Sequence, residues 1–218
     1  MSRRFSLGMV GIGGLLLALV AVAELTVNAA LLSQVRARYG EVAAGHLQRL
    51  GDVMVEVQSS SDLARLKAIN AFFNAFAFRA DSQQWGVIDY WATPFELMAK
   101  EGGDCEDFAI AKYFALRALG IGDEHLRLMY VRARNGELNQ AHMVLAYYPV
   151  TDAEPLVLDN LRPEILPASM RGDLQPVYSF NGQGLWQAKA RGLGQSVASG
   201  GGSVPQWQAL TERIERGD

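Results

Sequence analysis

The chain is short of the residue types that most often carry catalysis, with one cysteine, Cys105, and three histidines among 218 residues. A single cysteine cannot form an internal disulfide, so a cross-link within the chain is excluded as the reason for its presence. Basic residues are also few, with 20 Lys and Arg against 23 Asp and Glu and a formal net charge of −3. Because no basic stripe runs along the chain, a nucleic-acid partner is not expected.

The N-terminus has the organisation of an export signal. Arg3 and Arg4 precede an uncharged apolar stretch that ends in Ala21-Val22-Ala23, a small-x-small cleavage site. We expect residues 1–23 to be a signal peptide, although the stretch is also long enough for an uncleaved membrane anchor. In either case the rest of the chain is expected outside the cytoplasm.

Hydrophobic periodicity divides the remaining chain into a helical first half and a strand-rich second half. It predicts helices over residues 24–58, 63–78, 95–100 and about 105–119. It predicts strands over residues 126–133, 141–148 and 155–158. Helices followed by antiparallel strands are typical of an α+β domain, here residues 24–190. Residues 191–218 begin rich in glycine and serine, and we expect a flexible tail with a short helix.

Cys105 lies where the fourth of these helices is predicted to begin. Gly102-Gly103 marks a turn, Asp104 is a capping residue, and an apolar run from Phe108 to Leu116 follows. A thiol at a helix N-terminus lies at the positive end of the backbone dipole, which favours the thiolate that attacks carbonyl groups. The alternative is a cysteine that serves only as a small buried hydrophobe. A free thiol in an oxidising compartment favours the reactive role.

A cysteine nucleophile needs a base, and the base needs an acceptor that orients it. His46 and His125 lie in polar surroundings and are predicted to be surface residues. His142 opens an apolar strand and Asp159 follows the next one, so the two side chains meet if these strands are antiparallel neighbours. Asn160 is an alternative orienting residue. Taken alone, His142 is also consistent with a structural role and Asp159 with a turn.

Several segments along the chain carry a resemblance to a known family. They are Trp85-Gly86, 89–94 (DYWATP), 103–110 (GDCEDFAI), 141–145 (AHMVL), 157–161 (VLDNL) and 176–181 (PVYSFN). They resemble the bacterial transglutaminase-like cysteine proteases, and within these the LapG-type periplasmic adhesin proteases. The resemblance extends from about Val35 to Trp186 and leaves out the apolar N-terminus and the glycine-rich tail.

The resemblance implies a papain-like α+β fold with a Cys-His-Asp triad and a periplasmic location. It implies a protease that cuts a large biofilm adhesin near its N-terminus, beside a pair of small residues, and so releases it from the cell surface. It further implies dependence on Ca²⁺ and inhibition by an inner-membrane receptor that senses cyclic-di-GMP. A membrane contact of the chain itself is expected only through an uncleaved N-terminal segment.

The resemblance also implies roles for individual residues. Cys105 would attack the scissile carbonyl, His142 would accept and return the proton, and Asp159 would orient the imidazole. The backbone N–H of Cys105 is a natural oxyanion donor, and Trp85 and Trp91 are candidates for the second donor.

Three acids flank the thiol and are the expected calcium ligands. Asp104, Glu106 and Asp107 are ordinary helix-start residues, but three anions beside a cysteine raise the pKa of its thiol. Bound Ca²⁺ would offset that repulsion. Asp104 and Asp107 share a helix face, whereas Glu106 points elsewhere on an ideal helix, so its inclusion depends on the resemblance.

Two other functions use the same residues. A transglutaminase-like acyl transferase would pass the thioester to an amine instead of water. A non-catalytic, calcium-dependent binding module would keep the fold without needing the triad.

Overall fold

The computed structural model describes residues 27–135, 138–150, 153–187, 195–199 and 204–216. The predicted signal segment, residues 1–23, lies outside them. Within the described ranges, no helix combines the length and apolar character needed to span a membrane.

The first half of the chain is helical, as predicted. The α-helices are α1 (Ala29–Val57), α2 (Asp62–Asn74), α3 (Asp81–Gln84), α4 (Pro94–Lys100), α5 (Cys105–Ala118) and α6 (Pro205–Glu215). Short 3₁₀ helices occupy Asp123–His125 and Ala168–Met170. The predicted second helix ends four residues early, at Asn74, because Ala77 and Phe78 form a strand.

Side-chain caps define where these helices begin. The Asn28 side chain accepts a hydrogen bond from the Leu31 N–H at 2.9 Å at the start of α1. At α4, the Thr93 hydroxyl and the Glu96 carboxylate form a reciprocal capping box. Helix α1 is interrupted at Gly40, whose φ of +85° is left-handed and therefore suits glycine.

The strands form one small parallel pair and one large antiparallel sheet. Their bounds are β1 (Ala77–Phe78), β2 (Gly102–Gly103), β3 (Leu126–Asn135), β4 (Leu138–Tyr147), β5 (Leu156–Leu158), β6 (Leu166–Pro167), β7 (Leu174–Phe180), β8 (Gly184–Gln187) and β9 (Gln195–Ser199). Strands β1 and β2 pair in parallel, and the large sheet has the order β6-β5-β4-β3-β7-β8-β9. The predicted α+β class is therefore confirmed, with three predicted strands observed as β3, β4 and β5.

Helix α5 is the centre of the core. All its residues from Glu106 to Leu116 are buried, because it packs on α2 and α4 on one side and on β3 and β4 on the other. Its N-terminus, which carries Cys105, therefore opens at the junction between the helical layer and the sheet.

Within the expected tail, residues 191–218, the structure describes residues 195–199 and 204–216. Residues 195–199 form β9 on the sheet edge, and α6 is the expected short helix but packs on the core. Trp207 is buried and stacks on Phe114 with ring centroids 5.7 Å apart. Arg213 donates hydrogen bonds to the Tyr90 hydroxyl and the Trp91 carbonyl oxygen. Sequence composition missed this docking because it depends on single side chains, among them Trp207, Leu210 and Arg213.

Replacing Trp207 by alanine is expected to lower the free energy of unfolding by about 3–5 kcal/mol, as for other buried aromatic truncations. Urea denaturation measures this change. Gln208→Ala, on the exposed side of α6, is the matched control and should stay within about 0.5 kcal/mol of wild type. Equal losses in the two variants would show that α6 does not dock through Trp207.

Candidate active site

The turn that presents Cys105 is built by close backbone packing. Strand β2 aligns Gly102 with Ala77, and a Cβ at Gly102 would approach the Ala77 carbonyl oxygen to 2.6 Å. A Cβ at Gly103 would lie 2.4 Å from Oδ2 of Asp107. A side chain at either position would therefore clash with these atoms. Because glycine occupies both, the segment after β1 can lie close to the start of α5.

The Cys105 thiol is half-buried among acids. Its Sγ donates to Oε2 of Glu106 at 3.0 Å. Burial, followed by the charge of Glu106 and its hydrogen bond to the thiol and then by the charge of Asp104, raises the pKa of Cys105 far above its usual range. A backbone hydrogen bond from Met143 acts in the opposite direction. Since Met143 follows His142 on β4, this contact places the thiol against the strand that carries the histidine.

His142 and Asp159 form a buried pair. Nε2 of His142 lies 2.8 Å from Oδ1 of Asp159, and the two residues are 2% and 1% exposed. They meet because β4 and β5 are antiparallel neighbours, as the sequence predicted. Asp159 is thus the hydrogen-bond partner of His142, and the alternative, Asn160, is not.

The ionisation of Asp159 determines which nitrogen of His142 is free. Burial alone would raise the pKa of Asp159, but the hydrogen bond and charge of His142, the Leu161 N–H and Arg171 lower it to about 2. An ionised carboxylate only accepts hydrogen bonds, so Nε2 of His142 carries a proton and donates it. In the neutral ring, Nδ1 is then the basic nitrogen.

The other two histidines have structural partners. The ring of His125 contacts the Tyr148 carbonyl oxygen through Nδ1 at 2.7 Å. His46 lies 2.9 Å from a Glu101 carboxylate oxygen and beside the Phe76 ring. Neither is the fully solvated surface residue expected from its neighbours in sequence, and neither contacts Asp159.

A cluster of carboxylates surrounds the start of α5. The structure brings together the three predicted acids, Asp104, Glu106 and Asp107, and adds Asp81 and Asp89. Ligand atoms of Asp81, Asp104 and Asp107 lie within 4.8 Å of one another. Periodicity could not reveal Asp81, because its segment reaches the Cys105 turn through the short β1–β2 pairing and a hydrogen bond from the Gln84 side chain to the Gly102 carbonyl oxygen. Glu106 belongs to the cluster, although an ideal helix would point it elsewhere.

Burial and mutual repulsion both disfavour ionisation of the acids in this cluster. Burial, with the charges of Glu106, Asp107 and Asp81, raises the pKa of Asp104 to about 9. Burial also raises the pKa of Asp107 and, more modestly, that of Asp81. Asp107 is nevertheless structural as well, since it accepts hydrogen bonds from the backbone N–H groups of Ala92 and Asp104 at 2.7 and 3.2 Å.

The cluster has the chemistry of a calcium site. Ca²⁺ binds several carboxylate and carbonyl oxygens and offsets their repulsion. Two buried oxygens, Oδ1 of Asp81 and Oδ1 of Asp104, have no hydrogen-bond partner. Unpartnered buried carboxyl oxygens are ligands that a hard cation would satisfy, so these residues fit the metal.

The two candidate oxyanion donors differ. The indole N–H of Trp91 is bound to Oδ1 of Asp89 at 3.0 Å, and its ring stacks on Phe180 in the core. The indole nitrogen of Trp85 is buried without a hydrogen-bond partner. Of the two, only Trp85 has an uncommitted N–H.

Comparison with known proteins identifies relatives of the chain. The profile of the family described as bacterial transglutaminase-like cysteine proteinase (BTLCP) matches residues 43–173. The chain belongs to this family. The match includes Cys105, His142 and Asp159, as well as every acid of the cluster.

Solved structures of LapG from Legionella pneumophila are similar to the chain. One is 38% identical with a TM-score of 0.73, and the alignment covers 85% of this chain and 96% of that one. An EGTA-treated form is 39% identical with the same TM-score. A calcium-bound form is 39% identical with a TM-score of 0.70, over 84% of this chain and 98% of that one. No curated protein sequence matches significantly.

Asp159 is expected to make stability depend on pH in the acid range. Its pKa is about 2 in the folded chain against an ordinary 3.8. The ionised form therefore stabilises the fold above about pH 4, and this contribution is lost as the pH falls through 2. The difference in unfolding free energy between wild type and Asp159→Asn should shrink by about 2 kcal/mol between pH 6 and pH 2.

Denaturation by urea at several pH values measures that difference. Asp52→Asn, which alters an exposed carboxylate on α1, is the control and should differ little from wild type throughout. A difference for Asp159→Asn that does not change with pH would contradict the ionised His142–Asp159 pair.

Proposed function

We propose that the chain is a calcium-dependent cysteine endopeptidase with Cys105 as nucleophile, His142 as base and acid, and Asp159 as orienting residue. The observation that carries the proposal is the buried His142–Asp159 hydrogen bond on the strand against which Cys105 packs. Family membership supports thiol protease chemistry.

The residues suit acyl transfer through a thioester. Nδ1 of His142 takes the proton of Cys105, and the thiolate attacks the scissile carbonyl carbon to give a tetrahedral oxyanion. The Cys105 backbone N–H, at the helix start, is placed to donate to that oxygen. The C–N bond breaks as His142 returns the proton to the leaving amine. Water, deprotonated by the same imidazole, then hydrolyses the thioester and frees Cys105.

The acidic cluster and the calcium it would hold control whether Cys105 is a thiol or a thiolate. Asp81, Asp104, Glu106 and Asp107 would hold Ca²⁺, with Asp89 at the edge of the cluster. When bound, the ion supplies positive charge that offsets the carboxylates and so favours a charged thiolate. Without such compensation Glu106 accepts the thiol proton in a hydrogen bond, which keeps Cys105 neutral. The calcium-bound and EGTA-treated LapG structures support the choice of metal.

We further propose a periplasmic setting, a large surface adhesin as substrate and an inner-membrane cyclic-di-GMP receptor as inhibitor. The likeness to LapG over most of both chains supports this assignment. The export signal predicted over residues 1–23 also supports it.

Cleavage of the N-terminal region of a large adhesin from the same genome tests the proposal. The protein purified after export should cut it in calcium and not in chelator, and Cys105→Ala and His142→Ala should lose activity. His125→Gln is the matched histidine control and should retain it. Formation of an isopeptide bond would instead indicate acyl transfer, and calcium binding without any product would indicate a binding module.

Replacing Asp104 by asparagine is expected to weaken calcium binding about tenfold, because one charged ligand is lost. In chelator the same change should raise the unfolding temperature, because the raised pKa of Asp104 means that its carboxyl must take up a proton on folding near neutral pH, a cost that asparagine does not have. Calorimetric titration and thermal unfolding measure the two effects. Glu56→Gln, exposed on α1, should change neither. Wild-type calcium affinity in Asp104→Asn would refute the site.

A further inference from the structure

Arg171 is a buried cation that the mechanism leaves without a role. Its side chain is 2% exposed, and Nη2 donates to Oδ2 of Asp159 at 2.7 Å. The other oxygen of the same carboxylate, Oδ1, accepts from His142 at 2.8 Å. One carboxylate is thus divided between a histidine and an arginine.

The charged groups that face Asp159 come from several elements. His142 lies on β4, Arg171 follows the 3₁₀ helix at 168–170, and Lys112 projects from α5. The Leu161 N–H also donates to Oδ1 at 3.0 Å. Lys112 is 1% exposed, and its burial lowers the pKa of its amine to about 7, against the opposing charge of Asp159. Arg171 is therefore the one of these cations that directly hydrogen-bonds Oδ2.

The guanidinium of Arg171 is itself fixed in orientation. Its Nε and Nη2 donate to Oδ1 and Oδ2 of Asp173 at 2.9 and 2.8 Å. A planar guanidinium held on one edge by a two-point contact presents its remaining donors in a defined direction. Asp173 is partly exposed, whereas Asp159 is not, so the buried end of this chain of contacts is at the proposed triad.

The charge of His142 changes during the proposed reaction, and that of Arg171 does not. The imidazole is positive only after it takes the thiol proton and becomes neutral when it gives that proton up. A buried carboxylate whose only partner was His142 would lose its counter-charge at each turnover. Arginine stays protonated throughout, so its contact with Oδ2 persists in both states.

We propose that Arg171 is a positioning residue that holds Asp159 as an anion with Oδ1 directed at His142 throughout the reaction. The inference builds on the proposed triad. Arg171 would thus support the proposed triad of Cys105, His142 and Asp159 without itself contacting the substrate.

Arg171→Met and Arg171→Lys test this, with Arg162→Met as the matched control. Arg162 and Arg171 line one surface cavity. The side chain of Arg162 is about half exposed, and its ion pair with Glu164 is a loose one at 3.8 Å. The calcium-loaded protein purified after export is used throughout. The readouts are the ¹³C titration of the Asp159 carboxyl by NMR, kcat and KM for adhesin cleavage, and the free energy of unfolding.

In Arg171→Met the pKa of Asp159, about 2 in wild type, should rise to about 3 to 5, because a neighbouring arginine lowers a carboxyl pKa by about 1 to 3. We expect kcat to fall about 10- to 100-fold, as for outer partners that orient a functional histidine, with KM little changed. Arg171→Lys keeps the charge but loses the planar fork, so it should lie between Arg171→Met and wild type. Arg162→Met should match wild type in the titration of Asp159, in kcat and KM, and in the free energy of unfolding.

Wild-type titration of Asp159 in folded Arg171→Met would overturn the proposal, as would an equal kcat loss in Arg162→Met. A loss of stability with unchanged titration and kcat would reduce Arg171 to a structural ion pair. If Arg171→Met does not fold, the same criteria apply to Arg171→Lys. The NMR titration needs no substrate, so a failure to cut any adhesin would count against the protease function while the role of Arg171 is still decided.

Discussion

Close packing of glycine backbone against β1 is the constraint on which the candidate site depends. Gly102 and Gly103 leave no room for a Cβ, since Ala77 and Asp107 occupy that space. Their parallel pairing with β1 brings a segment 25 residues earlier in sequence against the first turn of α5. The helix start, the thiol and the acids of two distant segments are thereby held in one place.

That arrangement concentrates negative charge where a thiolate would have to form. Burial and neighbouring carboxylates raise the pKa values of Asp104, Asp107 and Cys105. The helix dipole alone cannot offset several buried anions, because it amounts to about half a charge. The same electrostatic conflict that makes the cluster unfavourable by itself makes it selective for a hard divalent cation. The proposed calcium dependence would then follow from where the acids lie.

The surroundings of Asp159 differ in charge from those of Cys105. Asp159 is hydrogen-bonded to His142 and to the cation Arg171, and burial strengthens these contacts with the carboxylate. In the proposed triad, Cys105 therefore contacts the carboxylate of Glu106, whereas Asp159 is paired with the cation Arg171.

Several features follow from the sequence alone. Apolar periodicity predicted the α+β class and the main helices and strands, because each is long enough for its period to show. The order of Cys105, His142 and Asp159 on a helix and two neighbouring strands predicted the buried pair, since adjacent antiparallel strands bring their ends together. The helix-start acids were visible as a run beside the cysteine.

Only the tertiary structure decided the rest. Asp81 joins the cluster through a two-residue parallel pairing, too short to leave a periodic signal. Arg171 reaches Asp159 from a loop between two strands, and α6 docks through the side chains of Trp207 and Arg213. Each depends on one or two side chains that meet partners far away in sequence. Local patterns carry no information about such contacts, because they arise only after the layers have packed.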